Sequence, residues 1–391
     1  MIINSILDTD LYKITMAQAI LFGKMGGIPY ESVDVEYEFI NRGNHKFPKN
    51  FDIALKNEIK HMSTLQLLSD ERKFLESNCT YLKRSFLDFL SGYRFNPEEV
   101  QVNQTENNLS VKIKGPWYRT VFWEVPLMAM ISELFYKMSN LGQEIDIEKV
   151  YQDASNKCFR LQTSLSVFSD FGTRRRFSYE VHDNVVHGLM NGGHQAFVGT
   201  SNVHFAHKYK LTPIGTHAHE WFMAHASLFG YKMANRYALE AWSNEYTGNL
   251  GIALSDTFTS KVFFEQFTVE LAKLFDGTRW DSGDPIVYAR NMINHYNKLK
   301  IDTASKVIVF SDGLTVDRSI EINKWCRENY IGARFGIGTH FTNDVGVKPL
   351  NIVIKLTKCN GTPTVKLSDS PGKETGPKEE INYCKYVLGI K

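Results

Sequence analysis

From about residue 124 the chain settles into a repeating order: a short apolar run ending in Gly, Ser, Thr or Asp, then a longer stretch with helical spacing. Strand candidates occupy 165–169, 196–199, 212–215, 251–255, 278–280, 306–310 and 334–337. Helical patterns between them cover 219–246, 259–275, 285–300 and 316–329. Strands joined through helices run parallel, because the connection crosses back over the sheet before the next strand begins. About seven or eight such units between residues 124 and 345 fit a (β/α) barrel, a fold that typically takes about 250 residues. A doubly wound open sheet is the alternative, although no G-x-G-x-x-G opens a helix early in the region.

The flanks follow a different grammar. Residues 33–39 (VDVEYEF) and 109–113 alternate with the period of half-buried strands, while 51–90 carries apolar residues at helical spacing with charges opposite. Gly115-Pro116 breaks the chain before an aromatic run, 117–123, that reads as another strand. In the tail, NIVIKLT and TPTVKL surround Asn360-Gly361, a strong hairpin signal. The expected layout is an N-terminal α+β part (1–123), a barrel (124–345) and a β-rich tail (346–391) that pairs with the first part.

Composition narrows the function. Lys+Arg 45 against Asp+Glu 43 leaves a net charge of +2, without the basic excess of a nucleic-acid binder. Five scattered cysteines with no C-x-x-C fit reduced thiols rather than disulfides or a cysteine zinc site. Asp8, Asp10 and Lys13 interrupt the apolar residues of the N-terminus, so it lacks a signal-peptide core. No run approaches the roughly 18 uncharged apolar residues of a membrane helix. A cytoplasmic protein with no nucleic-acid or membrane partner is expected.

The chemistry-bearing residues crowd just after the strand candidates, where barrel enzymes build their sites. They comprise 169–176 (SDFGTRRR), 199–202 (GTSN), 215–221 (GTHAHEW), 255–257 (SDT), 279–285 (RWDSGDP), 311–313 (SDG) and 336–340 (GIGTH). Glycines let backbone N–H groups approach an anion, and helix N-termini favour its charge. Aspartates suit ribose hydroxyls or Mg²⁺, and arginine forks onto phosphate or carboxylate. The combination describes a site for a phosphorylated sugar. Taken singly, Ser-Asp-Gly and Gly-Asp-Pro are turn and cap chemistry, Arg174 to Arg176 a solvated face, and Trp221 and Trp280 packing. Recurrence of one theme at successive strand ends outweighs that reading.

Six of the 12 histidines lie between His194 and His225. His217 and His219 at a strand end are what a metal-dependent barrel hydrolase would show, with H-x-x-H at His204 and His207 nearby. Alternatively His219 is a nucleophile or phosphate acceptor whose tautomer is fixed by the adjacent Glu220. Spacing alone leaves metal and nucleophile level.

The motifs together, DTDLYK (8–13), FSDFGTRRR, GTSN, PIGTHAHEW, LSDTFT, RWDSGDP, VFSDG and FGIGTH, make the chain resemble the nicotinate phosphoribosyltransferases nearly end to end. The resemblance implies the type II phosphoribosyltransferase fold: α/β, an irregular (β/α) barrel with a second, open α+β sandwich domain built from both chain ends. It implies that nicotinate and 5-phosphoribosyl 1-pyrophosphate (PRPP) give nicotinate mononucleotide and pyrophosphate, a step of NAD biosynthesis. Mg²⁺ exchanges with the substrates, ATP is a co-substrate, and His219 of the A-H-E-W element becomes a phosphohistidine. His217 stands where the family varies, which implies core or supporting duty. By the same resemblance Phe171 stacks on the pyridine ring and Arg174 meets its carboxylate. Tyr12, supplied by the neighbouring subunit of a homodimer, covers the other ring face. Thr200 and Ser201 complete the nicotinate site. Arg279, Asp281, Ser282 and Gly283 hold ribosyl phosphates and hydroxyls, Asp312 and Gly313 line the sugar, and Gly338 and Thr339 present N–H groups to the 5-phosphate.

Nicotinamide-using relatives carry an aspartate where this chain has Ser201. A carboxylate there would repel nicotinate, whereas a hydroxyl donates to it, so the acid is the expected substrate. Ser370-Pro371-Gly372-Lys373 lacks the spacing of a P-loop and follows a hairpin, so Lys373 reads as part of a solvated loop that is able to reach a phosphate.

Overall fold

The computed structural model describes every residue except Gln143, His194, Pro371 and Lys391. Its fold is α/β, with a parallel sheet of six strands and an antiparallel sheet of five. The parallel strands lie in the spatial order Phe197–Thr200, Phe168–Asp170, Gly332–Ile337, Val307–Phe310, Gly277–Trp280, Ile252–Leu254. By sequence that order is circular, since the first strand sits between the second and the last. The sheet therefore curls toward closure as the expected barrel does, with Ile308, Phe310, Phe335 and Ile337 buried inside it.

The segment 212–215 forms less of a strand than its alternation promised. Pro213 makes a single bridge to Thr200, although the Thr200 N–H reaches the Thr212 carbonyl and the Ile214 N–H reaches the Thr200 carbonyl. Proline has no N–H to continue a ladder, so pairing stops between Pro213 and Ile252–Leu254. His217 spans this seam. Its Nε2 accepts the Leu254 N–H at 3.3 Å, and its carbonyl accepts from Arg279 Nη1 at 3.1 Å. The barrel is irregular because a side chain stands in for a strand.

Strand-end polar residues double as helix caps. Asn202 accepts from the Phe205 N–H, Asp284 from Val287 and Thr315 from Arg318. Asp284-Pro285 in RWDSGDP is thus a cap followed by proline in the first turn, its structural reading. The long pattern 219–246 is two helices, His219–Phe229 and Ala234–Tyr246, parted at Gly230, whose φ of 83° ends the first. Residues 51–90 form three helices, Phe51–Met62, Ser69–Asn78 and Arg84–Gly92.

The antiparallel sheet runs Thr362–Pro363, Ile352–Cys359, Asp34–Asn41, Asn108–Pro116, Val100–Thr105, so the tail pairs with the N-terminal part as its β-rich pattern suggested. Asn360 and Gly361 both have positive φ (48° and 77°), the requirement of a two-residue type I′ hairpin turn. The aromatic run 117–123 is not a strand. It opens as a helical turn, Trp117–Thr120, that carries Trp117 against Trp221, while Trp123 packs against Phe95. Burying both indoles in one core outweighed the strand propensity of aromatics. Helix Leu11–Phe22 is buried along most of its length, Lys13 and Gln18 included. All five cysteines are buried and unpaired, and no helix among the described residues is long and apolar enough to cross a membrane.

Candidate active site

His219 begins helix His219–Phe229, directly after the seam segment, and is 7% exposed. Its Nδ1 lies 3.0 Å from Thr257 Oγ1 and its Nε2 3.0 Å from Asp281 Oδ2, with Asp256 Oδ1 at 3.7 Å. Burial, then the nearby Lys366 charge, push the imidazole well below its ordinary pKa, so it is neutral at pH 7. A proton on Nε2 is donated to Asp281, and the Nδ1 lone pair accepts from the Thr257 hydroxyl. The carboxylate that fixes the tautomer is therefore Asp281, not the adjacent Glu220. Glu220 turns the other way, to Lys13, Tyr37 and Trp117.

Burial raises Asp256 to about 6, a rise that Lys366 opposes and the Asp281 charge reinforces. Asp281 stays well below the carboxylate range despite burial, held there by the His219 hydrogen bond and by Arg279. Ser311 Oγ donates to its other oxygen at 2.6 Å. His219, Asp256 and Asp281 offer ligand atoms within 4.8 Å of one another. Among the described residues Asp256 Oδ1 has no hydrogen-bond partner, so an anionic oxygen is presented to a cation. The pair His217 and His219 makes no such site. His217 is fully buried against Phe222 and Trp242, with its Nε2 committed to the Leu254 N–H. The two imidazoles do not converge, which removes the geometric basis of the hydrolase reading.

Arg174, Tyr12 and Phe171 form a second group, with Arg174 within electrostatic reach of Asp281. Arg174 keeps 47% of its side chain exposed, with Nη1 3.5 Å from Glu124 Oε1. Tyr12 Oη is 3.5 Å from Glu124 Oε2, the carboxylate that Arg174 also reaches. Phe171 extends over Gly336, where a Cβ would come within 2.3 Å of the ring; glycine there makes room for the aromatic. A buried set holds this turn. Asp170 accepts from His182 Nε2 (2.7 Å), Thr200 Oγ1 (2.6 Å) and the Gly172 N–H (2.8 Å).

Several expected contacts are already occupied. Thr200 spends its hydroxyl proton on Asp170, and Ser201 Oγ donates to Asp10 Oδ1 at 2.7 Å. Asp10 is not among the site residues read from sequence, and it sets a carboxylate directly beside Ser201, where the sequence reading expects none. Ser282 Oγ donates to Asp256 and accepts the Asp369 N–H, so its hydroxyl supports the aspartate. The Gly283 N–H reaches Ser370 Oγ at 3.1 Å, with φ at 82°. Asp312 pairs with Lys373 at 2.6 Å, beside Gly313 in the left-handed region (φ 59°). Lys373 thus bridges from the tail to the barrel instead of lying in solvent; Pro371 in the same loop lies outside the described residues. Gly338 and Thr339 open the short helix Thr339–Thr342.

Sequence reasoning missed the cations that cover this ring. Lys366 is 5% exposed, with Nζ 3.9 Å from Asp256 Oδ2. Lys355 is pushed down to about 7 by burial and by the charges of Lys366 and Arg174. Arg42 and Arg175 lie within electrostatic reach of the Asp312 carboxylate. The available signal was a lysine inside each apolar run of the tail hairpin.

Two family models match the chain: the nicotinate phosphoribosyltransferase (NAPRTase) family over residues 166–390 and its N-terminal domain over 7–132. A nicotinate phosphoribosyltransferase of Desulforapulum autotrophicum is 48% identical over 99% of both chains, and one of Methanosarcina mazei is 42% identical over 100% of this chain and 99% of its own. The crystal structure of nicotinate phosphoribosyltransferase from Porphyromonas gingivalis superposes with a TM-score of 0.94 at 44% identity, covering both chains fully. That from Vibrio cholerae gives 0.92 at 35% identity, covering 100% of this chain and 95% of the other. With strand ends, covering sheet and full length all accounted for, the chain is an enzyme of the nicotinate phosphoribosyltransferase family.

Proposed function

We propose that this enzyme joins nicotinate and PRPP to give nicotinate mononucleotide and pyrophosphate, and that it couples the reaction to ATP hydrolysis through a phosphate on His219. The observation that carries the second part is the suspension of a neutral, buried imidazole between Thr257 and Asp281.

On this reading each step has a residue. With Nε2–H donated to Asp281, the Nδ1 lone pair is the nucleophile; it attacks the ATP γ-phosphorus, an N–P bond forms, and the P–O bond to ADP breaks. After ribosyl transfer, water attacks that phosphorus, the N–P bond breaks with its electron pair returning to Nδ1, and phosphate leaves. The positive charge developing on the ring falls next to the Asp281 carboxylate. In the transfer step the pyridine nitrogen of nicotinate bonds to C1 of the ribose while the C1–O bond to pyrophosphate breaks, its electron pair leaving with pyrophosphate. The ribosyl group passes through a cation that Asp281 and Asp312 stabilise, so catalysis is positioning and electrostatics. Arg174 orients the base through its carboxylate and Phe171 through its ring face. The partnerless oxygen of Asp256, beside Asp281, fits an exchangeable Mg²⁺, which when bound neutralises pyrophosphate charge.

The test is product formation from PRPP and Mg²⁺ with nicotinate or nicotinamide, each with and without ATP, separated by chromatography. Nicotinate mononucleotide formed faster with ATP is the expected result. A nicotinamide product would overturn the assignment of the acid, and an unchanged rate with ATP would overturn the coupling.

A further inference from the structure

Lys13 is fully buried, and its ammonium contacts two carboxylates. One is Glu124 Oε2 at 2.6 Å; the other is Glu220 Oε2, in a still closer contact. Glu220 follows His219 directly in the first turn of its helix, and its second oxygen accepts from Tyr37 Oη at 3.0 Å and Trp117 Nε1 at 3.3 Å. Glu124 reaches Arg174 and Tyr12 at 3.5 Å each. One cation on helix Leu11–Phe22 therefore touches both halves of the site without lining either.

We propose that Lys13 is a positioning residue shared between the two half-reactions: through Glu220 it fixes the turn that presents His219, and through Glu124 it fixes Arg174 and Tyr12 around the pyridine base. The inference rests on the proposed function. Two buried carboxylates need a counter-charge, and Lys13 is the cation that contacts both. Glu220 cannot swing without leaving Lys13, Tyr37 and Trp117, so its backbone, and that of His219, is held. Burial raises the Glu220 carboxyl, and Lys13 works against that rise.

Single-partner variants separate the two arms. Glu220→Gln and Glu124→Gln each leave Lys13 with one opposite charge, so the fold has no unpaired buried ion. Glu220→Gln is expected to lower acid-labile phosphate on His219 and ATP-stimulated turnover by roughly tenfold or more, because sub-ångström misplacement is costly in catalysis. The KM for nicotinate should stay within about twofold. Glu124→Gln is expected to reverse the pattern, with KM for nicotinate raised roughly tenfold and phosphate incorporation within about twofold. Lys13→Met, where it folds by thermal melting, should show both defects. Identical effects from the two glutamine variants, or none from either, would overturn the proposal. A wild-type enzyme that takes no phosphate on His219 would instead sink the ATP coupling, and the nicotinate KM of Glu124→Gln would then decide the role of Lys13 alone.

Discussion

The barrel mouth and the layer that covers it face the same space with different residues. The strand ends bring Asp256, Asp281 and Asp312 with His219, Arg174 and Arg279. The covering layer, formed by the antiparallel sheet and the tail, brings Arg42, Lys355, Lys366 and Lys373. A strand end feeding a helix needs glycine for tight turns and Asp, Ser or Thr for caps, so the mouth carries anionic and hydroxyl groups by the logic of its fold. A sheet laid across that mouth contributes through one face only, and lysines reach inward on long stems. The proposed reaction would draw on both: aspartates for the ribosyl cation and cations for the pyrophosphate. Neither half is a complete site.

The comparison can be broken most sharply at the mouth. His219→Ala should abolish ATP stimulation and lower ATP-dependent turnover by about a hundredfold or more, measured as product with and without ATP. Full ATP stimulation in that variant would mean the mouth does not carry the phosphate.

In the covering layer, Lys366→Met should raise the KM for PRPP roughly thirtyfold, about 2 kcal/mol, by removing a buried cation beside Asp256. An unchanged KM would reduce the cover to a lid.

Ser201 and its partner Asp10 give the next test. Ser201→Asp sets a second carboxylate against Asp10 and should weaken nicotinate relative to nicotinamide by roughly tenfold. Ser201→Ala only deprives Asp10 of a donor, and should cost about 1 kcal/mol of stability in denaturant titration.

Lys355 sharpens the comparison through pH. Its folded-state pKa of about 7 lies below the ordinary 10.5. Between those values the unfolded chain binds the proton that the folded chain lacks, so this group makes stability rise with pH across that window. Pyrophosphate binding should run the other way, weakening as pH climbs through about 7 and the ammonium is lost. Lys355→Met should remove both slopes, read by melting and by calorimetry across pH.

The last test concerns the seam and reads stability alone. His217→Leu should cost about 1–3 kcal/mol, because the buried Leu254 N–H loses its acceptor at the barrel seam. His217→Gln, which keeps an acceptor, should recover part of that loss.

What was legible in the sequence follows the same division. The alternation of short apolar runs with helical stretches determined the barrel, the Asn360-Gly361 signal determined the tail hairpin, and the strand-end motifs located His219, Asp281, Asp312, Arg174 and Phe171. These are local properties, set by backbone periodicity and turn chemistry within a few residues. Tertiary structure alone decided the rest. A lysine in an alternating strand reads as solvent-facing until another layer covers it, and so Lys355 and Lys366 were overlooked. Adjacent residues in a helix point to different sides, so Glu220 next to His219 went to Lys13 while Asp281, 62 residues away, took the imidazole. His217 and His219 look like a pair because only Ala218 separates them, but the seam at Pro213 draws one into the core and leaves the other at the site. Hydrogen bonds between distant segments choose partners by distance in space and by the cost of leaving a buried group unpaired, and neither is written in the order of the residues.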